Sequence, residues 1–221
     1  MALDATPGQA TWFDVALTAA DDTEESVLGS DLHQDAIYAL RDTLRRHSAQ
    51  HGLNWYVSSQ VQVIVPLPRR EDWHPSPDIF VVPGLEATPR TSYDTRRDGP
   101  MPPFVIEVVS PSTWRADVGS KADAYQLAGV REYIVFDPTG ELLGTSVRAW
   151  HGEPGAWTEW TPTGGNRWQS AVLNVALRPE GLLLRVYDSE GTRLDTSDEL
   201  AARLRVLEAE IARLRGGGST P

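Results

Sequence analysis

The sequence predicts an α/β fold, and three observations carry that expectation. Phe104-Val105-Ile106-Glu107-Val108-Val109 is a near-continuous apolar run, the pattern of a central strand buried on both faces. A helical stretch over about 115–128, closed by Gly129, separates it from a second such strand, Arg131 to Asp137, ended by Pro138. Strand–helix–strand in this order suggests a βαβ crossover, right-handed if the strands are parallel. Further upstream, Leu32, Ala36, Leu40 and Leu44 recur at a spacing of four, which predicts one apolar face of a helix from about 31 to 50.

The remaining elements follow in order. Residues 1–23 form an N-terminal segment whose first twelve positions carry turn formers and no apolar period. Ser30 is placed to cap the first helix, with Asp31 in its first turn favoured by the helix dipole, and His51-Gly52 ends it. Trp55 to Leu67 alternates with period two, Val57, Ser59, Val61, Val63 and Val65 on one face, and predicts a single strand. Pro66 to Asp72 reads as a polar loop, Pro77 to Val82 as a short strand, and 83–102 as a long loop. From 145 to 188 short strand-like runs alternate with Gly and Pro turns, a β-meander whose tryptophans at 150, 157, 160 and 168 cover the sheet. The main domain is thus expected at 24–190. Leu200, Leu204, Leu207, Ile211 and Leu214, spaced 4, 3, 4, 3, predict a coiled-coil helix over 198–215, before a flexible tail at 216–221. That helix either self-associates or packs back on the domain.

The 221 residues suit one domain with an appendage, and 40% hydrophobic residues suffice for a core. No cysteine is present, which excludes a disulfide framework, a thiolate zinc site and a cysteine nucleophile. No apolar run reaches the ~18 residues of a membrane span, and no secretory signal opens the chain, so the expected location is cytoplasmic. A net charge of −11 argues against a broad basic face for gripping DNA; the chain must either concentrate its few cations locally or bind nucleic acid weakly.

Three residues sit where their chemistry is costly. Glu107 lies mid-strand between Ile106 and Val108, and an unpaired carboxylate there costs several kcal/mol. Asp78 opens its own apolar strand after Pro77. Lys121 interrupts the helical stripe Val118, Ala122, Tyr125 and Ala128. One arrangement resolves all three: two carboxylates on adjacent strands hold Mg²⁺ or Mn²⁺, and the ammonium faces the same cavity. Each has a bland alternative: an arginine partner for Glu107, turn capping for Asp78, snorkelling for Lys121. Tyr125 is also a candidate for plain core packing, and Ser110, Ser112 and Thr113 suit turn and cap duty better than phosphate binding. Glu132 and Asp137, flanking a buried strand, read as structural. No Gly-rich phosphate loop, zinc pattern or hydrolase elbow occurs.

The strings Ser76-Pro77-Asp78-Ile79-Phe80-Val81, Val105-Ile106-Glu107-Val108-Val109-Ser110-Pro111-Ser112-Thr113, Lys121 with Tyr125, and Gly129-Val130-Arg131-Glu132-Tyr133 with Asp137 occur in that order. Together they resemble the Uma family of endonucleases, in the restriction-endonuclease-like PD-(D/E)xK superfamily. The resemblance implies a mixed sheet flanked by helices. It implies Asp78, Glu107 and the backbone carbonyl of Val108 as metal ligands, and Lys121, Tyr125 and His33 as further catalytic-site residues. The superfamily's usual lysine position is Val109 here, and the helical Lys121 takes its place, as in the Uma pattern. Glu24, Glu25 or Asp31 is a candidate for an extra carboxylate. The function so implied is metal-dependent hydrolysis of nucleic acid, DNA by preference; the heptad seam adds the expectation of a homodimer built through 198–215. The alternative is a non-catalytic assembly module that oligomerises through the same helix. Glycoside hydrolysis by the two carboxylates leaves the lysine without a task.

Overall fold

The computed structural model describes residues 31–67 and 71–216. Ser30, Glu24, Glu25, the N-terminal segment and the final tail lie outside the described residues. The chain forms α1 (Asp31–His51), β1 (Trp55–Ser58), β2 (Val63–Ile64), β3 (Ile79–Pro83), β4 (Tyr93–Asp94) and β5 (Phe104–Val108). There follow α2 (Trp114–Asp117), α3 (Ser120–Ala128), β6 (Glu132–Phe136), β7 (Val147–Glu153) and β8 (Ala156–Glu159). The series ends with β9 (Trp168–Gln169), β10 (Ala176–Glu180), β11 (Leu183–Tyr187) and α4 (Ser197–Gly216).

The centre is a mixed sheet in the order β1-β3-β5-β6-β7-β8. β5 and β6 are parallel neighbours joined through α2 and α3, the expected βαβ unit, and the other pairs in this sheet are antiparallel. Every residue of β5 and β6 is buried, which explains their unbroken apolar runs. On one face Ala36, Ile37, Leu40 and Leu44 of α1 pack against Val57, Val81 and Ile106. On the other, Tyr56, Phe80, Val105, Tyr125 and Tyr133 form a second apolar layer. Burial of Leu40 and Leu44 contributes about 1.5–3 kcal/mol each. The strands β11-β10-β9 make a separate antiparallel sheet, and Trp160 and Trp168 fill the α1-side core beneath it. Among the described residues no helix is long and apolar enough to cross a membrane.

Two elements differ from expectation. The alternating run from Trp55 to Leu67 is not one strand. Gln60 adopts φ 52°, its N–H donates to the Pro77 carbonyl, and the chain bends between β1 and β2. The bend sends Val57 into one core and Val63 and Val65 into the other, although they share a parity. The helix expected over 115–128 is likewise two pieces, broken at Val118-Gly119. The long loop 83–102 is pinned by β4, which pairs in parallel with β2.

Candidate active site

The register of β3 against β5 pairs Ile79 with Ile106, so Asp78 falls opposite Glu107 one step beyond the ladder. The two acids are tied reciprocally. The Asp78 N–H donates to Glu107 Oε2 at 3.1 Å, and the Val108 N–H donates to Asp78 Oδ2 at 2.9 Å. The carboxylates therefore meet at the carboxyl end of β5, where open α/β sheets bind their ligands.

The crossover helices bring the rest. Tyr125 of α3, fully buried between Trp73 and Tyr133, donates its hydroxyl to Glu107 Oε1 at 2.9 Å. Lys121 Nζ lies 3.2 Å from Asp117 Oδ1 and 3.9 Å from Glu107 Oε1, so it does not escape to solvent. Asp117 was not among the sequence candidates, yet its side chain is 2% exposed and its Oδ2 has no hydrogen-bond partner among the described residues. The available signal was the Asp117/Lys121 spacing of four, which places an acid beside the anomalous lysine. The Tyr133 hydroxyl donates to the Asp117 carbonyl at 2.8 Å and anchors the end of α2. His33, in the first turn of α1, reaches from the opposite side. Its Nε2 is 3.3 Å from Asp78 Oδ2.

Electrostatics follow from the geometry. Burial pushes the Glu107 carboxyl up, to about 8, and the charges of Asp78 and Asp117 add to this against the pull of Lys121. Burial likewise raises Asp117. Burial opposes charge on Lys121, but Glu107, Asp117 and Asp78 outweigh it and raise the ammonium above its ordinary value. Burial also opposes charge on His33. Asp78, and a hydrogen bond to the Val108 backbone (to its carbonyl, since it favours the protonated ring), prevail and raise it. Three acids thus face one ammonium and one imidazole. Full ionisation leaves the pocket short of positive charge, which a proton or a cation must supply.

No group of three His, Asp or Glu among the described residues is already drawn together as a finished metal cage. The donor chemistry nonetheless fits a hard divalent cation. The donors are carboxylate oxygens and a carbonyl, and Asp117 Oδ2 is a buried acceptor with no hydrogen-bond partner among the described residues. Asp78, Glu107, Asp117 and the Val108 carbonyl are the groups that could hold the ion. His33 Nε2 stands beside Asp78 Oδ2, and that carboxylate favours a proton on the ring.

The other candidates divide. Asp31 is exposed at the start of α1, and no described contact joins it to the site. Ser110 bonds the hydroxyls of Ser112 and Thr113 within the turn before α2. Glu132 accepts from the Ser170 hydroxyl and from the N–H groups of Ala171 and Val172, fastening β6 to the following loop. Asp137 accepts from the N–H groups of Thr139, Leu142 and Leu143. A small cavity of about 210 Å³, lined by His33, Val109, Pro111 and Asp137, opens beside the site.

A mixed sheet with flanking helices, carrying acids at its strand ends and a lysine on the crossover, defines a restriction-endonuclease-like α/β protein. The chain belongs to the Uma2 family, described as "Putative restriction endonuclease", whose model matches residues 16–180. Among solved structures it is similar to "a putative nuclease belonging to DUF820 from Anabaena variabilis ATCC 29413", at 13% identity and a TM-score of 0.43, over 61% of this chain and 69% of that one. No curated protein matches the chain.

Proposed function

We propose that the chain is a metal-dependent endonuclease that hydrolyses nucleic-acid phosphodiester bonds, with DNA favoured over RNA by family membership. The observation that carries this reading is the convergence of Asp78, Glu107 and Asp117 with Lys121 at the end of β5. Mg²⁺ or Mn²⁺ held by the three acids and the Val108 carbonyl would polarise a phosphoryl oxygen and acidify a bound water. The chain's own residues do the positioning. Lys121 lies within reach of the same acids and offsets charge developing on the phosphate. Tyr125 fixes the Glu107 carboxyl in one orientation, and His33 does the same for Asp78 Oδ2.

The exposed seam of α4 belongs to the same reading. Leu204, Leu207, Ile211 and Leu214 are each about half exposed or more, and nothing in the described chain covers them. Alignment of two copies in parallel puts Arg203 against Glu208 of the partner subunit, and Glu210 against Arg215 of the partner subunit. Both pairs are of opposite sign at the flanking heptad positions. A homodimer of this kind presents two sites to two strands.

The test is Mn²⁺ calorimetry with supercoiled-plasmid nicking on wild type, Glu107→Gln and Asp117→Asn. The expected result is metal binding and nicking in wild type, with nicking reduced at least ~100-fold in both variants. Metal binding without cleavage of any DNA or RNA would favour a second reading, a non-catalytic assembly module. The net charge of −11 is the observation on its side. Absence of metal binding in wild type would end the metallonuclease reading.

A further inference from the structure

A cleft of about 950 Å³ lies away from the carboxylates, along the edge of β1, between α1 and the loop 86–90. Arg41, Arg45 and Arg90 line it, together with Tyr56, Ser58 and one acid, Glu86. Arg46 stands beside Arg41 and Arg45 on the adjoining surface of α1. In a chain carrying 31 acidic and 20 basic residues, such a gathering of arginines is unexpected.

Their bonding is incomplete. Among the described residues Arg41, Arg45 and Arg46 form no ion pair. Arg41 Nε and the Nε and Nη2 of Arg46 are buried atoms without a hydrogen-bond partner. Arg45 spends only its Nε, which donates to the Val57 carbonyl at 2.8 Å on the sheet edge. Its guanidinium is pulled below its ordinary value by burial and by the neighbouring Arg41 charge, so these cations crowd one another. The Arg90 guanidinium stands over the Tyr56 ring, 4.4 Å from its centroid, held by the Glu86 and Thr88 carbonyls and with its Nε 3.9 Å from Asp98 Oδ1. Clustered guanidinium groups with unspent N–H donors suit phosphate oxygens, which accept from Arg in fixed fork geometry.

The cleft is linked to the active site through the backbone. Its Ser58–Val61 end is bonded to the strand lead carrying Asp78, since the Gln60 N–H donates to the Pro77 carbonyl at 2.9 Å. Along α1, Arg41 and Arg45 lie eight and twelve residues past His33. At 1.5 Å per residue that sets them about 12 and 18 Å further along the helix axis. A duplex advances about 3.4 Å per nucleotide on each strand, so the distance corresponds to about four or five nucleotides.

We propose that the Arg41/Arg45/Arg90 cleft binds the sugar–phosphate backbone of the nucleic acid about four or five nucleotides from the scissile bond, independently of base sequence. The location of the scissile bond rests on the nuclease reading above; the phosphate contact itself does not. The cleft answers the problem posed by the chain's acidity, because binding uses a local cluster of cations rather than a basic face.

The experiment uses the full chain in EDTA, so that binding is measured without metal or cleavage. A labelled duplex of about 20 base pairs is titrated by fluorescence anisotropy at several NaCl concentrations, for wild type, Arg41→Gln, Arg41→Gln/Arg45→Gln and Arg131→Gln. The double variant is expected to weaken binding at least about tenfold and to lower the slope of log K against log[NaCl] by about 1–2. Arg41 makes no hydrogen bond among the described residues, so Arg41→Gln alone gives the smaller shift without a folding penalty even if loss of the Arg45–Val57 bond unfolds the double variant. Arg131→Gln, which removes an exposed guanidinium outside the cleft, is expected to leave affinity unchanged. Unaltered affinity and salt slope in the arginine variants would overturn the proposal, as would a wild type that binds neither the duplex nor its single strand. Arginine-dependent binding by a protein that never cuts would uphold the cleft and sink the nuclease reading.

Discussion

Glu107 is the residue on which the site's energetics turn. Its carboxyl is 2% exposed and pushed up to about 8, against an ordinary value near 4.5. Between those limits the folded chain holds a proton that the unfolded chain has released. Metal-free stability therefore falls as pH rises through that window. Thermal melts of wild type and Glu107→Gln across pH 4.5–8 in EDTA should diverge in the variant's favour, by at most about 1.4 kcal/mol per pH unit. Addition of Mn²⁺ should remove the slope in wild type alone. Tyr125→Phe deletes only the hydroxyl donor to Glu107 Oε1. It should cost about 1 kcal/mol of stability and reduce nicking without abolishing it, read as a lower turnover at saturating Mn²⁺. Equal nicking by Tyr125→Phe and wild type would show that the orientation of Glu107 is set by its other contacts.

At the scale of the element, the break between α2 and α3 matters more than either helix. Gly119 sits in it, and a Cβ added there would meet the Arg115 carbonyl oxygen at 2.9 Å. The backbone must shift to accept any side chain. Asp117 and Lys121 flank that position on either side, two residues away. Gly119→Ala should destabilise the chain by about 1–3 kcal/mol and disturb the Asp117–Lys121 pair. The check is a melt combined with Mn²⁺ calorimetry, and an unchanged Mn²⁺ affinity would show that the two helices move as one body. The same break explains why Asp117 escaped the sequence reading. A continuous amphipathic helix draws the eye to its apolar stripe, whereas the acid ends one short helix and the lysine opens the next.

For the whole molecule, α4 is the element with least to hold it. Its first turn is fastened by Ser197, whose N–H and hydroxyl donate to Asp42, and by the bidentate Arg185–Glu199 pair. From Ala201 to Arg215 every residue is exposed. A chain ending at Ala201 should thus keep its melting temperature at low protein concentration, since loss of solvated surface changes stability by about 0.5 kcal/mol or less. It should sediment as a monomer where the full chain sediments as a dimer, and linearise plasmid more slowly relative to nicking. A full chain that is monomeric at high concentration would remove the dimer.

Much of the fold was legible because burial writes itself into short-range pattern. The apolar runs of β5 and β6 and the spacing of four along α1 are local signatures of surfaces each element must hide. Asp78, Glu107 and Lys121 stood out for the same reason, as charges placed where pattern demands apolar groups. Tertiary structure alone decided what those charges meet. The register that sets Asp78 against Glu107, the bend at Gln60 that sends one alternating run into two cores, and the arrival of Asp117 all depend on long-range pairing. So does the gathering of Arg41, Arg45 and Arg90. Alternation and helical period report which face a residue takes, but not which distant residue stands across from it; that is set by the packing of the whole sheet.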